Sequence, residues 1–119
     1  MAAPNIASVS TITGKTYGCA VGTSRTDLIP AVAADHVVRV NVINLANVDG
    51  LVPVDGTVEW YDSSTATYFK LGQTLSIPAD GSVAPKEWCP LYLEEGDKLT
   101  VLASASGDLE AVASGEDMS

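Results

Sequence analysis

The chain has 119 residues, 46% of them apolar and 18% charged, with a formal net charge of −9. That length suits one domain with a core of its own, without metal or disulfide staples, and the apolar content excludes a disordered chain. The six basic residues, Lys15, Arg25, Arg39, Lys70, Lys86 and Lys98, are scattered along the sequence, so it lacks the clustered cations that grip a phosphate backbone, and nucleic acid is not an expected partner.

Residues 1–14 are small and polar, with Ile6, Val9 and Ile12 three apart. Gly14 and the Ser/Thr content oppose a stable helix, so this stretch reads as an extended N-terminal arm or a first edge strand. It is too short to make a core and must lie on the domain or on a neighbour. Met1–Asn5 has neither the basic start nor the apolar centre of a secretory leader, and no apolar run reaches the ~18 residues of a membrane span. Synthesis and folding in a cytoplasm are therefore expected, with no membrane partner.

From Val37 the pattern has period two. Val38, Val40 and Val42 alternate with Arg39 and Asn41, and Ile43 and Leu45 follow on the opposite face. Asn47-Val48-Asp49-Gly50 reads as a turn. Asp55-Gly56 opens a strand in which Val58 and Trp60 face one way and Thr57, Glu59 and Tyr61 the other. Asp62–Thr65 turns the chain into Tyr68–Leu71, an antiparallel return. Leu75 and Ile77 alternate up to Pro78, and Asp80-Gly81 turns again. Pro85 and Pro90 break residues 83–90 into an irregular or edge segment. Leu91 and Leu93 flank Tyr92, Glu94–Asp97 is a charged turn, and Leu99, Val101 and Ala103 alternate. Ser106-Gly107-Asp108 reverses the chain into a last strand over residues 109–114.

The best helical candidate, Ala31–Asp35, is one turn at most. Seven to nine short strands with a turn every eight to twelve residues predict an all-β fold, an antiparallel β-sandwich of jelly-roll or Ig-like type. The expected organisation is an arm over residues 1–14 and a single sandwich domain over residues 15–119.

The sequence offers little chemistry. A triad built on the one histidine, His36, would need a nucleophile and an orienting carboxylate, and no elbow motif supplies them. Cys19 and Cys89 lack metal-pair spacing. They read as two buried free thiols, an intrachain bridge or an interchain bridge. Asp49, Asp55, Glu94, Glu95 and Asp97 do not follow a calcium-loop pattern and are better explained by turns. Gly14, Gly18 and Gly22 are not a phosphate loop. The chain is therefore expected not to be an enzyme and to hold no cofactor or metal. Tyr61, on the polar face beside Glu59, is a candidate for a binding platform.

Several stretches carry a family likeness. They are Ile29-Pro30-Ala31 before the Val37–Asn44 strand, Trp60–Ser64 with Tyr68, and Leu75–Ala79. Further along come Pro90–Val101, with its Leu-Tyr-Leu and Gly-Asp-Lys-Leu, and Ala103–Leu109. Across residues 28–114 the chain resembles small β-sandwich virion proteins of tailed bacteriophages. Residues 1–27 have no counterpart there, and residues 114–116 lack the aromatic expected after the last strand.

The resemblance implies a non-enzymatic structural protein, foremost a capsid decoration or cement protein on the phage particle surface, made in the host cytoplasm. Its implied partners are the major capsid protein, other virion proteins and further copies of itself. A neck, collar or tail accessory protein is the first alternative, and a carbohydrate- or receptor-binding sandwich the second. The expected contact residues are Ile6, Val9 and Ile12 of the arm, Tyr61, and Trp88 in the Pro85–Pro90 loop, with Cys19 and Cys89 as candidate bridging thiols.

Overall fold

The valine-rich segment after His36 forms the longest inward-facing strand of the molecule and sets the frame for the rest. The computed structural model describes residues 4–119. Its strands, in chain order, are β1 (Ile12–Val21), β2 (Thr26–Ile29), β3 (Val37–Asn47), β4 (Val54–Asp62), β5 (Thr67–Ile77), β6 (Ser82–Val83), β7 (Leu91–Leu93), β8 (Lys98–Ala103) and β9 (Leu109–Met118). One 3-10 turn, Lys86–Trp88, precedes β7.

Two antiparallel sheets result. One runs β1-β9-β3, with β7 and β6 both lying on the far edge of β3, against its first and second halves. The other runs β2-β8-β4-β5. β4 and β5 form a hairpin within their sheet, whereas β3 and β4, and β8 and β9, pass from one sheet to the other. This is the sandwich that alternation and turn spacing predict.

Alternation explains which side chains meet between the sheets. Val38, Val40, Ile43 and Leu45 of β3, Val58 of β4, Leu99 and Val101 of β8, and Leu109, Ala111 and Ala113 of β9 are all essentially inaccessible to solvent. The sequence pattern put Val42 with Val38 and Val40, and Ile43 and Leu45 on the other face. The structure corrects this. Val40 pairs with Gly115 and Val42 with Ser114, leaving Asn41 as an extra residue in β3. That β-bulge moves the following residues by one, so Ile43 and Leu45 rejoin Val38 and Val40 in the core and Val42 turns outward, 41% exposed. Gly115 serves the same spot, because a Cβ there would collide with the Arg39 carbonyl oxygen.

Two further elements run longer than their patterns suggest. Tyr68–Leu71 and Leu75–Ile77 belong to one strand, β5, irregular around Thr74, whose φ is +48°. The last strand continues past Ser114 to Met118, because it pairs with β1 on one side and β3 on the other. Residues 31–35 contain no helix and end in a turn in which Asp35 has φ +62°.

Candidate assembly surfaces

Every open sheet presents two edges whose N–H and C=O groups lack partners, and proteins blunt them to prevent unwanted pairing. Three of the four edges here are blunted. β2 has four residues and a register break at Asp27. β5 meets β4 through two register shifts. The far side of β3 is covered in two pieces by β7 and β6. β1 is different. It pairs with β9 over ten consecutive residues, Ile12↔Met118 to Val21↔Leu109, without a bulge. Among the described residues no strand pairs with its other side. The edge carries no proline and one lysine, Lys15.

The expected arm residues lie around the start of this strand. Ile6 stands in a turn closed by Asn5, whose carbonyl accepts from Ser8 N–H and whose side chain accepts from Ala7 N–H. Ile6 is 48% and Ile12 62% exposed, and Val9 is half-buried. Ser10 and Thr11 both donate backbone N–H to the Ser119 carbonyl oxygen, and Ser119 donates back to Thr11. This stretch is thus tied to the end of the chain, with two of its three apolar side chains open to solvent.

β1 also borders a cleft. Its inward-facing Tyr17 and the segment after β2 enclose about 140 Å³ between the sheets, walled by Ile29, Pro30, Ala31, Val32, Ala33 and Val38, with Lys15 and Asp117 completing the lining. Asp117 accepts from His36 Nδ1 at 2.7 Å and lies 3.6 Å from Lys15 Nζ. Burial, helped by Asp117, pushes the Tyr17 phenol up. His36 is therefore held by a carboxylate, Asp117, that also pairs with Lys15.

The outer face of the second sheet carries the other built feature. Glu59 points away from the core, as the alternation predicts, yet it is 1% exposed. Arg25, before β2, donates to it at 2.7 and 3.2 Å, and Lys70 of β5 at 2.6 Å. Those cations hold the Glu59 carboxyl below the usual carboxylate range, Arg25 foremost, against the upward push of burial. The Arg25 guanidinium also lies 3.8 Å from the Tyr68 ring centre, Tyr68 packs against Tyr61 at 4.7 Å, and Lys98 approaches Tyr61. Tyr61 therefore stands in a cation–aromatic row. Sequence alternation placed Glu59 and Tyr61 on one face but gave no sign that Arg25 would fold over from outside the sheet.

Trp88 lies elsewhere. It is 8% exposed and packed into the chain's own core, its ring against the Cα of Gly72. Cys19 and Cys89 are unbonded, half-buried thiols that pack against the core, and burial pushes both up. Asp97, read from sequence as part of a charged turn, is 1% exposed and fully used. It accepts from Trp60 Nε1, Ser63 N–H, Ser63 Oγ and Glu94 N–H. Asp49 accepts from Leu51 N–H. Among the described residues no three His, Cys, Asp or Glu side chains gather as a cation site, and no helix is long and apolar enough to cross a membrane.

These features define a two-sheet antiparallel sandwich whose surface offers edges and faces. Solved structures that share the fold include the following two. A chain from the acid-stable capsid of Helicobacter pylori bacteriophage KHP30 superposes with a TM-score of 0.55 at 11% identity, covering 94% of this chain and 90% of that one. A chain from Bacillus endospore appendages, which form disulfide-linked pili, superposes with a TM-score of 0.50 at 12% identity, covering 92% and 87%. No protein-family model matches the chain, and no curated protein matches it.

Proposed function

We propose that this chain is a non-enzymatic structural subunit of a phage virion, of the capsid decoration or cement type, at the particle surface. The observation that carries the reading is the unblunted ten-residue edge of β1 beside three blunted ones. An edge kept open costs solubility unless a neighbour covers it, and strand addition supplies main-chain hydrogen bonds to a second chain. Residues 1–14, with Ile6, Val9 and Ile12, act as the contact arm, whose residues from Ile12 onward open β1, and residues 15–119 form the body. The occupants are the major capsid protein, another virion protein or a further copy. The fold shared with a capsid chain and an appendage chain supports a building-block role. The net charge of −9 suits a face turned to solvent.

Hydrogen exchange tests the edge directly. In the free chain the β1 amides that do not bond to β9 exchange quickly, and in the assembled particle they are expected to become protected. Unchanged exchange across Ile12–Val21 on assembly removes strand addition from the mechanism. Imaging of the particle then separates the subtypes: hundreds of copies over the shell mark a decoration protein, a few to a dozen in a ring a neck or tail component.

The row of Tyr61, Tyr68, Arg25 and Lys98 supports a second reading, a carbohydrate- or receptor-binding sandwich. Glycan binding abolished by Tyr61→Ala, with an unchanged melting temperature, selects it.

A further inference from the structure

The free side of β1 carries a definite set of backbone groups. Thr11 and Ser119 each donate N–H to the other's carbonyl oxygen, at 3.0 Å both ways. Such reciprocal pairs alternate along an antiparallel ladder, and the register runs on unbroken from Ile12↔Met118 to Val21↔Leu109. Thr13, Lys15, Tyr17, Cys19 and Val21 therefore bond to β9. Ile12, Gly14, Thr16, Gly18 and Ala20 turn their N–H and C=O groups outward, and all five are exposed.

Charge and strand geometry narrow what can meet them. No Asp or Glu precedes Asp27, so all fifteen acidic residues lie after β1. Two copies of this acidic chain can join here with no carboxylate on either joining strand. Among the described edges β2 has four residues, β5 breaks register twice and β3 is covered, so within a pair of copies the unbroken complement to β1 is another β1.

Antiparallel pairing about a two-fold axis at Thr16 uses every free group. Thr16 meets Thr16, Gly14 meets Gly18 and Ile12 meets Ala20, each pair exchanging two hydrogen bonds. On the face toward the second sheet, Lys15 stands opposite Tyr17 while keeping Asp117 at 3.6 Å, and Thr13 stands opposite Cys19. The carboxylates of β9 fall in separate rows. Glu116 lies beside Gly14 and Glu110 beside Ala20, and the rows they face end in Val112 and Met118 of the second copy. Moving the axis to Lys15 sets two lysines against each other, and moving it to Tyr17 leaves Ile12 unpaired.

We infer that a second copy of this chain occupies the β1 edge, antiparallel and with the two-fold axis at Thr16, so that two copies share one continuous sheet. The inference rests on the strand-addition reading above and names its partner. A contact of this symmetry closes at two.

Sedimentation velocity from micromolar to millimolar concentration is expected to show a monomer–dimer equilibrium. Thr16→Pro removes an N–H that faces away from β9, a place where an edge strand tolerates proline, and is expected to weaken the dimer at least about tenfold. Circular dichroism checks its fold. Cross-linking reads the register, and carries the test alone should Thr16→Pro misfold. Thr13→Cys, in a Cys89→Ala background, lies roughly 20 Å from Cys19 of its own chain but about 4.5 Å, Cα to Cα, from Cys19 of the second copy, within disulfide reach. A mild oxidant is expected to join its chains in pairs, and to leave unjoined both the wild type, whose two Cys19 lie six positions out of register, and Lys15→Cys in the same background.

A wild type monomeric to millimolar concentration, a dimer that a folded Thr16→Pro leaves intact, or joining through Lys15→Cys in place of Thr13→Cys overturns the proposal. Strand addition fails separately. A monomeric wild type whose β1 amides become protected in the particle overturns the second copy and keeps the edge for another virion protein, whereas unprotected β1 amides in the particle overturn both.

Discussion

Arg25 reaches across the outer face of its sheet to grip both carboxylate oxygens of Glu59, at 2.7 and 3.2 Å, and in doing so covers the one charged side chain on that face that water barely touches. Glu59 also accepts from Lys70, so two nearly half-exposed cations shield one buried anion.

This pairing makes stability depend on acidity. Because the Glu59 carboxyl is held below its ordinary 4.5, the folded chain takes up that proton less readily than the unfolded chain. The contribution is complete above the unfolded value and is lost as pH falls through the folded one. Glu59→Gln is expected to cost about 2–3 kcal/mol near neutrality, toward the low end for a broken buried pair because its partners are solvated. Urea titrations from about pH 7 to about pH 3 should show the gap between wild type and variant narrowing below its neutral value. A gap that ignores pH contradicts this account.

Asp97 joins the β4–β5 and β7–β8 turns through four accepted hydrogen bonds. Asp97→Ala strands Trp60 Nε1 and two backbone donors, at an expected loss of about 3 kcal/mol. Trp60 emission should shift to the red in the native variant. An unshifted spectrum with wild-type urea resistance would refute the hub.

Gly115→Ala tests the bulge. The added methyl meets the Arg39 carbonyl oxygen, and the β3–β9 pairing around Val40 must open. A loss of about 3 kcal/mol or more is expected, while Gly14→Ala, where a Cβ meets nothing within 4 Å, should be tolerated. Equal melting temperatures for the two variants would show that the close approach is unimportant.

Burial raises both thiols, so Cys19 and Cys89 carry little thiolate at neutral pH. Native chains should react slowly with a maleimide and quickly once unfolded. Particles run on a non-reducing gel decide whether either thiol ties chains together: cross-linked bands that collapse with reductant would establish the interchain bridge, and monomers alone would dismiss it.

Much of the fold was legible in the sequence because alternation and turn chemistry act locally. Val38 and Val40, Val58, and Leu99 with Val101 all face the core as their spacing predicts. The misassigned side of Ile43 and Leu45 has a nonlocal cause, since the bulge at Asn41 depends on Gly115, over seventy positions later. β1 was faint because its Thr, Gly and Lys positions are largely exposed on both faces, leaving no apolar rhythm. Tyr61 was recognisable from its face alone. Arg25 was not, because nothing local links it to Glu59. Leu51 follows the Asn47–Gly50 turn and lies before the next patterned strand, where no alternation marks it, and Trp88, expected at an interface, is 8% exposed in the chain alone, its ring lying where a Cβ on Gly72 would stand.

The pairing of β1 with β9 has a consequence for biosynthesis. β9 is made after both β1 and β3, and it separates them in their sheet. Until it emerges, β1 has neither edge covered and β3 lacks its longest neighbour. Completion of this sheet therefore waits for β9, and until it is made the nascent chain exposes both edges of β1 and the edge of β3 that β9 later covers.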